Sequence, residues 1–159
     1  MRPEDTPCAC TTLRKASRAV TRFYDDALRS QKLTTTQFAV LRAVAREGRI
    51  PMSHLAETMV MDRTTFYRAV GPLLRDGDLQ SVDSDSDGRA KLLQLSPAGK
   101  RRMARAARQW AGAQRKIVER MGLDRWKELS RWLAEATAHA MALYPLETEP
   151  SAASRGRAR

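Results

Sequence analysis

The sequence predicts a mainly α-helical protein with a small β-wing, and three observations support this fold class. A short helix, a tight turn and a second helix follow one another from residue 53 to residue 75, with apolar side chains at helical spacing. Two segments of alternating apolar and polar residues, 79–82 and 90–95, come next and enclose a polar turn. Long segments with a helical apolar period lie on both sides. This order predicts a winged helix-turn-helix plus a helical dimerisation region.

The first long helix is expected from about residue 6 to residue 30. Thr6 supplies a hydroxyl N-cap, and Pro7 suits the first helical position. An apolar stripe then follows the helical period: Leu13, Ala16, Val20, Phe23 or Tyr24, and Ala27. Because one small winged unit cannot cover such long stripes, we expect pairing with a second copy of the chain.

Two shorter helices precede the centre of the predicted unit. Thr34 and Gln37 fit the capping box that opens a helix, and Gly48 is well placed to end it. The buried side of this second helix is expected to be apolar: Phe38, Leu41 and Val44. Residues 53–59 predict a short third helix with Leu55 directed inward.

The fourth helix carries the face of greatest interest. Asp62 is expected to cap it by accepting from the free backbone N–H groups of the first turn. Phe66, Val70 and Leu73 follow the i, i+4, i+7 rule and are therefore expected to face the core. The opposite face is polar and basic, with one aromatic residue and no acidic residue: Thr64, Tyr67, Arg68, Gly71 and Arg75.

The wing is expected around the polar turn at residues 83–89. The spacing Asp-x-Asp-x-Asp-Gly in this turn also matches the opening of an EF-hand calcium loop. That loop requires a bidentate Glu at its twelfth position, which is Gln94 here, and helices rather than strands on both sides. We therefore predict a wing turn and no metal site.

Two long helices follow the wing. Ser96-Pro97 opens the fifth helix, which is expected to reach Met121 before Gly122 breaks it. Cationic residues crowd its first turns, where most of them are expected to form a solvated face: Lys100, Arg101, Arg102 and Arg105. The last helix begins near residue 123 and stops at Pro145. It carries the apolar residues Trp126, Leu129, Leu133, Ala136 and Ala140.

The sequence therefore predicts four regions. Residues 1–33 form an N-terminal dimerisation helix, 34–96 a winged helix-turn-helix DNA-binding region and 97–145 the C-terminal dimerisation helices. Residues 146–159 lack a period, end in Arg-Gly-Arg-Ala-Arg, and are expected to be a disordered basic tail.

The charge balance limits the classes of partner. The 159 residues carry a formal net charge of +11, which favours a polyanion: nucleic acid first, an anionic membrane surface second. No apolar run approaches the ~20 residues that a membrane span needs, and the polar N-terminus does not resemble a signal peptide. Two cysteines cannot form a disulfide framework, so we expect a cytoplasmic protein.

The sequence does not favour an enzyme. His54 and His139 lie far apart with no metal-ligand spacing around them. No Gly-rich phosphate loop and no nucleophile motif are present in the sequence. We therefore expect no catalytic activity and no cofactor.

Several motifs together resemble the MarR family of bacterial transcription regulators. Leu33-Thr34-Thr35-Thr36-Gln37-Phe38 resembles its second-helix motif, and Leu55-Ala56-Glu57 matches its third. Asp62-Arg63-Thr64-Thr65 with Arg68 resembles its recognition helix. Residues 87–99, from Asp-Gly-Arg through Leu-Ser-Pro-Ala-Gly, are similar to its wing and the start of the next helix. The resemblance covers about residues 8–144.

The resemblance implies a homodimer joined by the first and last two helices, acting as a sequence-specific regulator, most simply a repressor. Each subunit would place one recognition helix in a major groove of double-stranded DNA, with half-sites roughly 10 bp apart in a pseudo-palindrome. The residues expected to contact base edges, called the reading set below, are Arg63, Thr64, Thr65, Tyr67 and Arg68. Arg89 at the wing tip would enter a narrow minor groove.

Simpler roles remain open for each of these residues. Thr64 and Thr65 also fit ordinary first-turn positions beside a cap. Arg68 also fits a solvated surface, and Tyr67 also fits packing under the wing. A rival function for the whole chain is a non-specific architectural DNA-binding protein, whose affinity would come from salt-dependent phosphate contacts.

The two cysteines are candidates for a redox switch. Cys8 and Cys10 fall near the first turn of the first helix, and Arg14 follows on the same face, so both the helix dipole and the guanidinium favour thiolate. This segment resembles the organic-hydroperoxide-sensing branch of the family, which implies that Cys10 is oxidised and that Tyr24 helps bind its thiolate. A disulfide or metal switch, or a buried and inert Cys10, are the alternatives.

A small aromatic or anionic effector is the other expected signal. Arg14, Arg18 and Trp110 are candidates to line its pocket between the dimerisation helices and the winged unit. They equally fit surface and core positions.

Overall fold

The computed structural model describes residues 2–83 and 91–144. Its helices are α1 (Ala9–Leu28), α2 (Thr35–Glu47), α3 (Met52–Thr58), α4 (Arg63–Arg75), α5 (Pro97–Met121) and α6 (Leu123–Leu143). Its strands are β1 (Arg49–Pro51), β2 (Leu79–Asp83) and β3 (Lys91–Leu95). The predicted fold class, mainly α with a small β-wing, is confirmed. The wing tip with Arg89 and the tail at 146–159 lie outside the described residues.

The chain divides into two compact units, Met1–Arg120 and Met121–Arg159. The first contains the winged unit together with α1 and nearly all of α5. The second contains α6, of which no residue is buried. Most of its apolar side chains are exposed, with Trp132 at 55%. No helix in the described part of the chain is long and apolar enough to cross a membrane.

The first helix begins later than the sequence predicts. Thr6 is not its N-cap, because the first helical hydrogen bond joins the Thr12 N–H to the Cys8 carbonyl at 3.0 Å. Cys8 is therefore the N-cap residue and α1 starts at Ala9. Residues Pro3–Asp5 form a separate 3₁₀ turn, so that Thr6-Pro7 connects two elements instead of opening one.

The start and end of α2 agree with the sequence patterns. The Thr34 hydroxyl accepts from the Gln37 N–H at 3.2 Å, while the Gln37 side chain accepts from the Thr34 N–H at 3.0 Å. This is the predicted capping box. Gly48 ends the helix with a φ of 77°, a conformation that a residue with a Cβ rarely adopts.

A three-stranded antiparallel sheet, in the order β1-β3-β2, forms the base of the wing. β2 and β3 pair as predicted, from Leu79 opposite Leu95 to Asp83 opposite Lys91. β1 was not predicted, because three residues are too few to show an alternating pattern. Ile50 in this strand is buried and pairs with Leu93, so β1 closes the sheet against the helices.

One hydrophobic core joins α2, α3 and α4 to the sheet and to the first half of α5. The predicted inward residues of α4 are all buried: Phe66, Val70 and Leu73. Phe38, Leu41, Val44 and Leu55 are buried in the same cluster, as predicted. Each fully buried side chain of this size contributes about 1.5–3 kcal/mol. This core fixes which side of α4 faces outward.

Candidate nucleic-acid interface

The start of α4 is fixed by its cap. Asp62 Oδ1 accepts from the Thr65 N–H at 2.9 Å, and Oδ2 accepts from the Thr65 hydroxyl at 2.6 Å. These hydrogen bonds, the side-chain bond first, lower the pKa of the Asp62 carboxyl. The carboxylate therefore stays ionised at the positive end of the helix and holds the first turn in place.

The outer face of α4 is open to solvent. Arg63, Thr64 and Arg68 are exposed, and Tyr67 is 55% exposed. Tyr67 contacts Phe66 ring to ring, edge on, with centroids 6.2 Å apart. The alternative in which Tyr67 packs under the wing does not fit this exposure. The face presents a guanidinium, a hydroxyl and an aromatic ring side by side, which are groups that contact base edges and phosphates.

Thr65 differs from the other residues of the predicted reading set. Its side chain is exposed, but its hydroxyl proton is already donated to Asp62. It retains its methyl group and acceptor lone pairs for a ligand. Thr65 is thus first of all a structural partner of the cap, which is the simpler role that its place in the first turn also fits.

Ser96 ties the C-terminal end of α4 to the start of α5: it caps α5, as the sequence predicts, and it also contacts Gly77, which the sequence did not reveal. The Ser96 hydroxyl donates to the Gly77 carbonyl at 2.6 Å and accepts from the Gly99 N–H at 2.9 Å. Gly99 is buried against the Asp78 backbone, and a Cβ there would overlap the Asp78 carbonyl oxygen. A glycine is therefore required at this position for α5 to approach so closely.

Most of the cations at the start of α5 were expected on a solvated face, and Arg102 is the exception. Its side chain is only 16% exposed and forms an ion pair with Asp78, whose side chain is 5% exposed. No spacing rule in the sequence identifies this pair. Lys100, Arg101 and Arg105 are exposed, as expected.

Within the single chain, the three candidate residues of the effector pocket do not lie together. Arg14 and Arg18 line a shallow groove on α1 with Leu13 and Ser17. Trp110 instead packs against the core, with its ring centroid 6.1 Å from that of Phe38. The Arg42 guanidinium lies 4.3 Å from the centroid of the Trp110 ring. Trp110 therefore serves α2–α5 packing in this subunit.

The predicted redox residues are also separated. Cys10 and Tyr24 lie on the same helix, about 21 Å apart along its axis at 1.5 Å per residue. The Tyr24 hydroxyl donates to the Gln114 Oε1, and burial raises its pKa. Tyr24 thus does not contact Cys10 within one subunit.

Cys8 and Cys10 are both exposed, which contradicts a buried Cys10 within the single chain. Hydrogen bonds from the Thr11 backbone N–H and hydroxyl lower the pKa of the Cys8 thiol. Cys8 is therefore the cysteine with a structural reason to form thiolate.

Comparison with known proteins gives consistent matches. The model of the MarR family matches residues 31–90. The M. tuberculosis transcriptional regulator MosR, solved in complex with DNA, is 32% identical over 87% of this chain and 99% of its own, with a TM-score of 0.78. A probable transcriptional regulator from Pseudomonas aeruginosa is 26% identical over 85% of this chain and 99% of its own, with a TM-score of 0.75.

A more distant match shows the fold alone. A cysteine-to-serine variant of E. coli MarR, complexed with operator DNA, is 16% identical over 79% of this chain and 91% of its own, with a TM-score of 0.72. No curated protein matches the sequence.

The fold and the open helix face define a winged helix protein of the type found in transcriptional regulators. Because the family model matches the winged unit and MosR matches along nearly its whole length, the chain belongs to the MarR family. It is thus a member of a family of transcriptional regulators and not of enzymes.

Proposed function

We propose that the chain is a homodimeric repressor that binds a pseudo-palindromic operator in double-stranded DNA. Residues 34–96 bind the DNA, while residues 1–33 and 97–145 join the two subunits. The observation that carries the proposal is the orientation of α4. Its aliphatic side and Phe66 are buried, so Arg63, Thr64, Tyr67 and Arg68 point outward from a rigid support.

Charge and geometry support DNA as the ligand of this face. α4 has no acidic residue between its Asp62 cap and its end at Arg75, and the whole chain carries +11. A helix fits the major groove, and its N-terminal residues reach base edges. Two proteins that share this fold, MosR and the E. coli MarR variant, were solved in complex with DNA. We extend that partner to this chain, with Arg89 assigned to the minor groove.

The homodimer is supported by apolar surface on α1. Leu13 and Val20 are each 43% exposed and Phe23 is 37% exposed, all on one side of the helix. A helix that exposes such a stripe is stabilised when a partner covers it. A second copy would cover the stripe and would give the protein the two-fold symmetry of a palindromic operator.

Release from DNA is assigned to a small-molecule effector or to cysteine oxidation. The oxidation route is supported by two exposed thiols at the start of α1 and by the lowered pKa of Cys8. Loss of binding on treatment with peroxide, which persists in both Cys8→Ser and Cys10→Ser, would exclude this route and leave the effector.

The test of the proposed function is selection from a library of random duplexes with the full chain. A regulator of this kind enriches a pseudo-palindrome with half-sites about 10 bp apart. Arg68→Ala should relax base preference at defined positions of that site, whereas Arg46→Ala on the exposed side of α2 should leave the preference unchanged. Failure to enrich any sequence would contradict the proposal and favour the architectural rival.

A further inference from the structure

The guanidinium of Arg102 connects three parts of the unit Met1–Arg120. Nη1 forms ion pairs with Asp78 and, at 3.2 Å, with Asp76, both in the turn between α4 and β2. Nε donates to the Gln31 carbonyl at 3.0 Å, and Nη2 donates to the Lys32 carbonyl at 2.9 Å, in the connection between α1 and α2. Arg102 itself is on the second turn of α5. One side chain thereby fixes the C-terminal end of α4 relative to α1, α2 and α5.

The surroundings make this connection rigid. Asp78 is buried, its N–H donates to the Leu73 carbonyl and its carbonyl accepts from the Ser96 N–H at 3.0 Å. Gly99 packs directly on the Asp78 backbone. The left-handed conformation of Lys32, at a φ of 52°, turns its carbonyl toward Arg102 at the end of a 3₁₀ turn. The backbone at Asp78 and the backbone at Lys32 are thus each held in place by contacts other than those to Arg102.

Arginine is the residue type that this geometry requires. Its planar group offers five N–H donors in fixed directions, of which the Nε, Nη1 and Nη2 groups are all engaged here. A lysine could keep the charge but not reach two carbonyls and two carboxylates at once. A buried ion pair adds little net stability compared with apolar side chains of similar volume, so a role in positioning is the better explanation.

We propose that Arg102 is a positioning residue for operator recognition, because it sets the orientation of α4 relative to α1 and α5. It thereby also sets the outward face of α4 relative to the same face of the partner subunit. This inference rests on the proposed function. Arg102 reaches no DNA itself, because its donors are directed at protein acceptors. Two α4 helices must match two half-sites simultaneously, so a small change in their orientation lowers specific binding more than non-specific binding.

The test compares Arg102→Met, the double variant Asp78→Leu/Arg102→Met and the matched control Arg101→Met. Arg101 is the exposed neighbour on the same helix and loses the same charge. The probes are the duplex selected by the wild-type chain and a scrambled duplex of equal composition. Dissociation constants are measured over a range of salt concentrations, and thermal stability is measured by circular dichroism.

Arg102→Met should lower the ratio of specific to non-specific affinity by at least about fivefold, the scale of coupling between distant sites. The slope of log K against log salt should not change for the scrambled duplex, because no phosphate contact is lost. Arg101→Met should keep the wild-type ratio. In the double variant, stability should recover because no buried charge is left unpaired, while the ratio stays low.

Three results would overturn the inference. The first is a wild-type ratio of specific to non-specific affinity in Arg102→Met. The second is recovery of this ratio together with stability in the double variant. The third is a slope of log K against log salt that falls by the amount of one phosphate contact while the ratio does not change. If Arg102→Met does not fold, the double variant decides. If the wild-type chain itself binds both duplexes equally, the proposed function fails, and this inference fails with it.

Discussion

At the residue scale, the chemistry of α4 depends on Asp62 and its two hydrogen bonds to Thr65. The sequence predicted this cap, the buried trio that begins at Phe66 and the outward direction of Arg68, because local spacing determines all three. It did not predict that the Thr65 hydroxyl would be occupied by the cap. That hydrogen bond depends on the rotamers of two side chains, and spacing along the chain carries no information about rotamers.

Replacement of Asp62 by alanine should lower the thermal midpoint of the chain at neutral pH. The pKa of Asp62 is lower in the folded chain than its ordinary value, so its contribution is complete above that ordinary value. The contribution is lost as pH falls through the lowered folded pKa. The difference between wild type and variant should therefore shrink only in strong acid, in thermal melts over a pH series.

Asp62→Asn provides the control for this prediction, because asparagine caps helices without a charge. It should keep most of the neutral-pH stability. A difference between wild type and Asp62→Ala that grows on acidification would contradict the assigned pKa shift.

Alkylation should show that the Cys8 thiolate forms at lower pH than that of a free thiol reference. In a Cys10→Ser background, the pH midpoint of the iodoacetamide rate should lie below that of N-acetylcysteine, because the N–H and hydroxyl of Thr11 donate to the sulfur. Thr11→Val removes the hydroxyl and should move the midpoint upward. Equal midpoints for Cys8 and the reference would remove the structural argument for this cysteine as a sensor.

At the element scale, capping and periodicity predicted α2, α4 and α5 nearly to the residue, whereas β1 and the start of α1 were missed. β1 exists because its three residues pair with β3, a partner more than 40 positions away. Its stability comes from tertiary contacts, which a short window of sequence does not contain. Likewise, Thr6-Pro7 has the composition of a helix start, but the separate 3₁₀ turn before it places it outside α1.

The approach of α5 to the turn before β2 should depend on Gly99. Gly99→Ala places a methyl group on the Asp78 carbonyl and should destabilise the fold by roughly 1–3 kcal/mol, the cost of overpacking. Gly112→Ala, on the same helix with no atom within 4 Å of the added carbon, is the matched control. It should be neutral or stabilising by about 0.5–1 kcal/mol. Denaturant melts compare the two, and equal effects would refute the close contact.

At the scale of the whole molecule, the +11 charge and the apolar stripe on α1 were visible in the sequence, and both suggested partners. The contacts of the Arg102 guanidinium were not visible in the sequence, because they join residues that are 24 to 71 positions apart. Such contacts follow from the fold and from no local pattern.

The dimer should depend on the stripe of α1. Val20→Asp places a charge in the proposed interface and should reduce the mass in solution from twice the 17.9 kDa chain mass to a single chain mass, with loss of specific DNA binding. Thr21→Asp, the neighbouring exposed position, is the control and should leave the dimer intact. Sedimentation equilibrium measures both masses. A Val20→Asp chain that remains dimeric would place the interface elsewhere.

The outward face of α4 is proposed to recognise DNA sequence. The most direct measurement is the ratio of dissociation constants for the selected duplex and its scrambled counterpart, by fluorescence anisotropy at physiological salt. A dimeric regulator should bind the selected duplex at least about 10³-fold more tightly. Equal binding to both duplexes, with a steep salt dependence alone, would contradict the claim.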